Sequence, residues 1–221
     1  MNTAILLYDG FTALDAIGPY EVLSRLPGAR VTFVAADAGP VRTDNRMLAI
    51  DADARLADVP APDIVLVPGG PGEVAARAGG SMLEWLRRAH ETSTWTTSVC
   101  TGSLILAAAG LLEGKRATSH WLALERLGEM GAQPTGERVV YDGKIVTAAG
   151  VSAGIDMGLA LAASLAGETV AQAIQLGIEY DPQPPFDSGS PEKAPAEVVE
   201  LLRSRSRHQI TDEEKPLAAR G

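Results

Sequence analysis

Short β-rich runs alternate with helical stretches along most of this chain, and this alternation constrains the fold more than any other feature. The runs at residues 3–8, 63–70 and 94–100 contain mainly apolar and β-branched side chains. Such runs are typical of parallel strands covered by helices on both faces, and strands separated by helices indicate βαβ units. We therefore predict an α/β fold with a doubly wound, mostly parallel sheet sandwiched by helices.

Local signals predict where individual elements begin and end. Pro19 is expected at the first position of a helix, where its missing N–H costs nothing. Asp142-Gly143 is a strong turn signal and predicts a hairpin over residues 138–150. Residues 152–167 are almost entirely apolar, so the helix predicted there must be buried on most sides.

The composition of the sequence changes at residue 181, where a segment begins that is too rich in proline for regular structure. No linker divides the chain before this point. We therefore predict one α/β domain over residues 1–180. Residues 181–221 are expected to form a C-terminal extension with a short helix and a polar tail.

Charge and cysteine content exclude several classes of function. The formal net charge is −9 and the isoelectric point is about 4.8, which disfavours binding to a phosphate backbone. No apolar run is long enough to span a membrane, and the N-terminus lacks the cationic start of a signal peptide. One cysteine and three widely spaced histidines give no metal-ligand pattern. The sequence predicts a cytoplasmic protein without a metal, a nucleic-acid partner or a membrane partner.

Cys100 ends the β-rich run at residues 94–100 and is followed at once by Thr101, Gly102 and a helical stretch. This order resembles a nucleophile elbow, in which a sharp strand-to-helix turn presents a side chain to a cleft. The N-terminus of the helix is expected to favour thiolate over thiol. The alternative is a buried structural cysteine, the usual role of a lone cysteine.

Two other predicted strand ends carry candidate site residues. Gly69 and Gly70 follow the strand that ends near residue 67, and their N–H groups are suited to binding negative charge. Asp15 follows the first strand and can hold or transfer a proton. A tight turn explains the glycines equally well, and Asp15 is alternatively a turn-stabilising residue. His120 is either a neighbour of Cys100 or a structural histidine.

Several long stretches resemble one known family. They are LDAIGPYEVL, PGGPG, SVCTGSLILAAAGLLEGKRATSHW, GERVVYDGKIVTAAGVSAGIDMGLAL and IEYDPQPPFDSGSPEKAP. Together they resemble the DJ-1/PfpI superfamily of the class I glutamine amidotransferase-like fold, which is flavodoxin-like. Within it the chain is most similar to the isocyanide (isonitrile) hydratases.

The resemblance implies a role for each matching residue. Cys100 corresponds to the nucleophile and Asp15 to the acid beside it. The backbone N–H groups of Gly70 and Thr101 correspond to donors that face the cysteine. The implied pocket residues are Ile17, Gly69, His120 and Val151. Ile17 departs from the family pattern, which has a small polar residue there. The family also implies a homodimer.

The implied activity is the hydration of isocyanides to N-substituted formamides through a thioimidate on Cys100, with Asp15 as general acid and base and with no cofactor. Two alternatives use the same cysteine. One is a glyoxalase- or deglycase-like enzyme acting on reactive carbonyls, and the other is a redox-sensing or ligand-binding protein without turnover. The LDxxGPxE segment also occurs in sensor domains of AraC-type regulators, but the acidic charge of this chain disfavours DNA binding.

Overall fold

A computed structural model describes residues 1–205 of the chain. The strands in chain order are β1 (Asn2–Leu6), β2 (Arg30–Ala35), β3 (Gly39–Arg42), β4 (Ala49–Ala52), β5 (Ala54–Arg55), β6 (Ile64–Val67), β7 (Trp95–Val99), β8 (Arg116–Ala117), β9 (Gln133–Pro134), β10 (Val139–Asp142) and β11 (Ile145–Ala148). Seven of them form one sheet in the order β10-β11-β7-β6-β1-β2-β5. Only the β10–β11 pair in this sheet is antiparallel, so the predicted hairpin and the mostly parallel sheet are confirmed.

Helices flank the sheet. In chain order they are α1 (Ala13–Leu23), α2 (Glu73–Ala76), α3 (Ser81–Thr92), α4 (Gly102–Ala108), α5 (Leu124–Glu129), α6 (Ala153–Ala166), α7 (Glu168–Gly177) and α8 (Ala196–Arg203). Helix α1 packs against α6 and helix α3 packs against α4, and both pairs contact strands of the sheet. The predicted α/β architecture is therefore confirmed.

The centre of the sheet is a continuous apolar layer. All four residues of β6 are buried, and so are four of the five residues of β1. A parallel strand covered on both faces has no solvent side, which explains why these runs do not alternate with polar residues. Burying each large side chain, such as Leu66 or Ile5, contributes about 1.5–3 kcal/mol.

Helix α1 begins earlier than the sequence predicted. Pro19 lies in the interior of this helix and not at its first position. Its missing N–H leaves the carbonyl of Asp15 without the usual partner four residues later. Packing against α6 accommodates the ring, because a Cβ on Gly154 would lie 3.0 Å from Pro19 Cγ. The earlier start places Asp15 in the first turn of the helix, where it is fully buried.

The segment after α7 follows the sequence prediction as far as the structure describes it. Residues 181–195 contain no helix or strand, and α8 follows as the expected short helix. The polar tail from residue 206, including His208, lies outside the described residues, and the domain boundary at residue 180 stays a prediction. Within residues 1–205, none of the helices has the length and apolar character needed to cross a membrane.

Candidate active site

Three neighbouring strands bring the candidate residues to one edge of the sheet. Strand β6 pairs in parallel with β1 on one side and with β7 on the other. Cys100 follows β7, Gly69 and Gly70 follow β6, and Asp15 lies in the helix after β1. The carboxyl ends of parallel strands are where ligands bind in open α/β sheets.

Cys100 lies in a strained backbone conformation, with a φ of 57° that side-chain-bearing residues rarely adopt. Its N–H donates to the carbonyl oxygens of Ala148 and Ala149, at 3.0 and 2.9 Å. Its own carbonyl oxygen accepts hydrogen bonds from Ser119 Oγ at 3.0 Å and Ser103 Oγ at 3.2 Å. The nucleophile elbow predicted from the sequence is therefore present in the backbone, and four hydrogen bonds hold it.

Glycines allow the backbone to approach this elbow closely. A Cβ on Gly102 would lie 2.1 Å from the carbonyl oxygen of Val67, so no other residue fits there without a shift of the backbone. A Cβ on Gly69 would lie 2.5 Å from Thr101 N and 2.9 Å from Asp15 Oδ2. The glycine run after β6 thus lies against both Cys100's neighbour and Asp15.

Asp15 and Cys100 are both buried, and each influences the pKa of the other. Asp15 Oδ2 accepts the Gly69 N–H at 2.8 Å. Burial raises the pKa of Asp15 to about 7, although the hydrogen bonds from Gly69 and Cys100 oppose this shift. Burial, followed by the charge of Asp15, raises the pKa of Cys100 well above its ordinary value. Above about pH 7 the pair therefore holds one proton, which lies on the sulfur.

This result corrects the expectation that the helix N-terminus keeps Cys100 as a thiolate. The backbone N–H groups of Thr101 and Val151 lower the pKa of the thiol, but burial and Asp15 outweigh them. A free thiolate would be a second negative charge beside the Asp15 carboxylate. Cys100 is thus a thiol that lies beside a carboxyl group able to exchange a proton with it.

The two expected backbone donors differ in their contacts. The Thr101 N–H lowers the pKa of the Cys100 thiol, and its role as a donor to the sulfur stays a prediction. The Gly70 N–H donates to Thr101 Oγ1 at 2.9 Å, and the second N–H that lowers the pKa of the thiol is that of Val151. Gly70 therefore holds the Thr101 side chain rather than the sulfur.

Cys100 opens into a cavity of about 260 Å³. Its walls include Thr12, Pro71, Leu122, Val151, Leu202 and Arg205. A second cavity of about 600 Å³ lies beside it. His120 and Val151 line both cavities and so stand at their border. Burial lowers the pKa of His120, which keeps its ring neutral at pH 7.

Two of the four predicted pocket residues, Ile17 and Gly69, are absent from the described walls of both cavities. Gly69 is buried, with its N–H donating to Asp15. Ile17 lies half-buried on α1. The α-helical spacing explains the position of Ile17, because Asp15 and a residue two positions later point to different sides of the helix.

Other residues at the site were not predicted from the sequence. The buried Tyr8 hydroxyl donates to the Pro68 carbonyl at 2.8 Å and so supports the loop after β6. Burial, then the charges of Asp15 and Cys100, raise the pKa of Tyr8 well above its usual range. Tyr8 ends an apolar run, so its sequence context indicates only a core residue. Leu202 and Arg205 reach the cavity from a segment with no local signal for it.

Metal ligands are not grouped in the described part of the chain. Among residues 1–205, no cluster of three or more His, Cys, Asp or Glu side chains is arranged to hold a metal ion.

These features define a class of protein: an α/β fold in which a strained cysteine, on an elbow between strand and helix, faces a buried carboxyl group. Comparison with known sequences identifies the family within this class. The chain belongs to the DJ-1/PfpI family, whose family model matches residues 1–164.

Individual relatives agree with this assignment. The isonitrile hydratase of Pseudomonas putida is 44% identical over 206 residues, covering 93% of this chain and 90% of that protein. The crystal structure of a ThiJ/PfpI family protein from Pseudomonas syringae matches with a TM-score of 0.90 and 41% identity, over 92% of this chain and 85% of the other. A deglycase of Thermococcus kodakarensis is 26% identical over 67% of this chain and 89% of its own length.

Proposed function

We propose that this protein hydrates isocyanides to N-substituted formamides. The observation that carries the proposal is the buried Asp15–Cys100 pair, because a thiol beside a carboxyl group is suited to act as a nucleophile with its own proton carrier. The similarity to the Pseudomonas putida isonitrile hydratase, which extends over 93% of this chain, supports the same chemistry.

The first half of the reaction adds the thiol across the terminal carbon of the isocyanide. Asp15 takes the proton of the Cys100 thiol as the sulfur attacks this electrophilic carbon. Asp15 then delivers that proton to the same carbon. The product is a thioimidate, R–N=CH–S–Cys, and the carboxylate is restored.

The second half hydrolyses the thioimidate. Asp15 accepts a proton from water as the water oxygen attacks the thioimidate carbon, and this proton is passed to the substrate nitrogen. The tetrahedral intermediate, R–NH–CH(OH)–S–Cys, then loses the thiolate, which takes up the hydroxyl proton through Asp15. The formamide R–NH–CHO leaves, and the thiol is regenerated.

The backbone stabilises the sulfur when it carries negative charge. The N–H groups of Thr101 and Val151 are suited to this role, since both lower the pKa of the Cys100 thiol. Fixed donors of this kind need no reorganisation when charge develops, so their contribution is greatest in the transition state.

The proposal is tested by measuring formamide production from cyclohexyl isocyanide. Wild-type protein is compared with Cys100→Ala and Asp15→Asn. Turnover by the wild type, with losses of about 10³-fold or more in both variants, is the expected result. Absence of turnover by the folded wild type, tested with an aryl isocyanide as well, would overturn the hydratase proposal.

A carbonyl-processing activity is the second candidate. It is favoured by the similarity to the Thermococcus kodakarensis deglycase and by His120 at the border of the Cys100 cavity. Methylglyoxal consumption, measured beside isocyanide hydration, distinguishes the two. Methylglyoxal turnover that is lost in His120→Ala, without isocyanide turnover, would favour this candidate. The redox-sensing alternative predicts oxidation of Cys100 under mild peroxide and no turnover of any small electrophile.

We also propose that the protein is a homodimer, as the family resemblance implies. Light scattering coupled to size-exclusion chromatography measures this directly. A mass near twice the 23.1 kDa of one chain is expected, and a mass of one chain would overturn the proposal.

A further inference from the structure

The carbonyl of Cys100 is held in an unusual way. At the start of a regular helix this oxygen would accept the N–H of Leu104, but that N–H donates to the Thr101 carbonyl. Two hydroxyl groups take its place, from Ser103 on α4 and from Ser119 in the segment after β8. Both serines are fully buried, so water does not compete for these bonds.

The peptide group between Cys100 and Thr101 also acts on the sulfur, through its N–H. The Cys100 carbonyl and the Thr101 N–H belong to one peptide unit, and this N–H lowers the pKa of the Cys100 thiol. A hydrogen bond accepted by a peptide carbonyl polarises the group and strengthens the bond that its N–H donates. The two hydroxyls are therefore connected to the sulfur through a single peptide.

Local structure explains the hydrogen bond that Ser103 makes to the Cys100 carbonyl, but not the one that Ser119 makes. Ser103 is three residues from Cys100, and such a bond is common where serine lies near a helix start. Ser119 is 19 residues away, so local turn chemistry does not account for its bond. Ser119 also directly precedes His120, at the border of the two cavities.

We propose that Ser119, assisted by Ser103, is a positioning residue: through the Cys100–Thr101 peptide it fixes the elbow and strengthens the N–H that stabilises the thiolate as it forms. This role concerns any reaction of the Cys100 sulfur. It therefore extends beyond isocyanide hydration and is testable without it.

The test measures the alkylation rate of Cys100 by iodoacetamide between pH 7 and pH 10. Because the chain contains one cysteine, the mass change reports this site alone. Ser119→Ala is expected to lower the rate at pH 8 by about 3- to 10-fold and to shift the profile to higher pH, since the Cys100 carbonyl loses one of the two hydrogen bonds that strengthen the Thr101 N–H. Ser119→Thr keeps the hydroxyl and should restore most of the rate.

Ser98→Ala is the matched control. Ser98 lies on β7, is fully buried, and its hydroxyl has no hydrogen-bond partner among the described residues. Its removal should leave the alkylation profile unchanged. Thermal unfolding establishes that each variant is folded before its rate is compared.

A folded Ser119→Ala variant that is alkylated like the wild type across the pH range would overturn the proposal, and so would an equal loss in Ser98→Ala. If Ser119→Ala does not fold, Ser103→Ala carries the same test, with a loss in the same direction expected and an unchanged profile contradicting it. Absence of hydratase activity in the wild type would leave the alkylation result valid, so the two proposals fail separately.

Discussion

The Cys100 cavity has two walls that are built in opposite ways. On one side, the elbow is buried, and hydrogen bonds fix both the N–H and the carbonyl of Cys100. On the other side, Leu202 and Arg205 belong to α8 and the residues just after it, and Leu202 remains 45% exposed. A strained conformation persists only where its surroundings over-determine it. The wall that carries Cys100, which is the reacting wall of the proposed function, therefore requires this support, and the opposite wall does not.

Helix α8 is attached by few buried contacts. Among its described residues only Val199 is buried. The Arg203 guanidinium lies 5.9 Å from the centroid of the Trp121 ring, and its other contact is an exposed ion pair with Glu200. Such surface contacts contribute about 1 kcal/mol or less each. The site therefore joins a fixed wall, which carries the hydrogen-bonded elbow, to an exposed wall that few buried contacts hold.

Gly102→Ala should produce the largest effect, because it disturbs the fixed wall directly. The added Cβ would lie 2.1 Å from the Val67 carbonyl oxygen, and neither backbone can move without breaking the elbow. We expect a loss of about 3 kcal/mol or more in the free energy of unfolding, measured with urea. The control is Gly177→Ala on α7, where a Cβ meets nothing within 4 Å. Equal stability of the two variants would contradict the comparison.

Asp15→Asn should change how stability depends on pH. The pKa of Asp15 is about 7 in the folded protein and near 3.8 in an unfolded chain, so the folded state binds the proton more tightly. Stability due to this proton is therefore present at low pH and is lost as pH rises toward 7 and above. Between pH 5 and pH 8, the wild type should lose about 2 to 3 kcal/mol more than Asp15→Asn in urea unfolding. Parallel pH profiles would contradict the raised pKa.

The pH dependence of turnover also tests the raised pKa of Asp15. Asp15 must be a carboxylate to accept the thiol proton, so kcat/KM should fall about tenfold per pH unit below an apparent pKa near 7. Glu21→Gln removes an exposed carboxylate of the same helix and should leave this limb unchanged. An acid limb near pH 4 would indicate that Asp15 is not the group that titrates.

Leu202→Ala should have the smallest effect, because it alters the exposed wall. We expect a stability change within about 0.5 kcal/mol and a change of a few-fold in KM for bulky aryl isocyanides, with kcat retained. Leu201→Ala is the matched control, since Leu201 is similarly exposed but does not line the cavity. A tenfold loss of kcat in Leu202→Ala would show that α8 belongs to the reacting wall.

The sequence predicted the fold because the strands are long apolar runs with clear stops. It also predicted the elbow, since Cys100 stands directly between a strand and a glycine-containing helix start. It placed Pro19 wrongly, because the packing of α1 on α6 overrides the preference of proline for a first turn. The effect of the Val151 N–H on the thiol carried no signal, since every residue except proline has this donor and the segment is remote in sequence.

Other features of the site depend on burial, which is not a property of single residues. The helix start suggested a thiolate at Cys100, but the depth of the site reverses that tendency. Ile17 follows Asp15 closely in sequence, yet the direction of side chains on a helix separates them. The bond from the Ser119 hydroxyl to the Cys100 carbonyl was likewise not predictable, because the two residues are 19 positions apart and meet only in the folded chain.

Because Asp15 and Cys100 share a single proton, the effect of salt on turnover is expected to be small. In the proposed cycle the proton moves between sulfur, carboxylate and substrate, so the charge of the site and its contents stays constant at every stage. A neutral isocyanide is neither attracted nor repelled by the net charge of −9 on the chain. Turnover of neutral substrates should accordingly be insensitive to ionic strength, although the protein itself is strongly acidic.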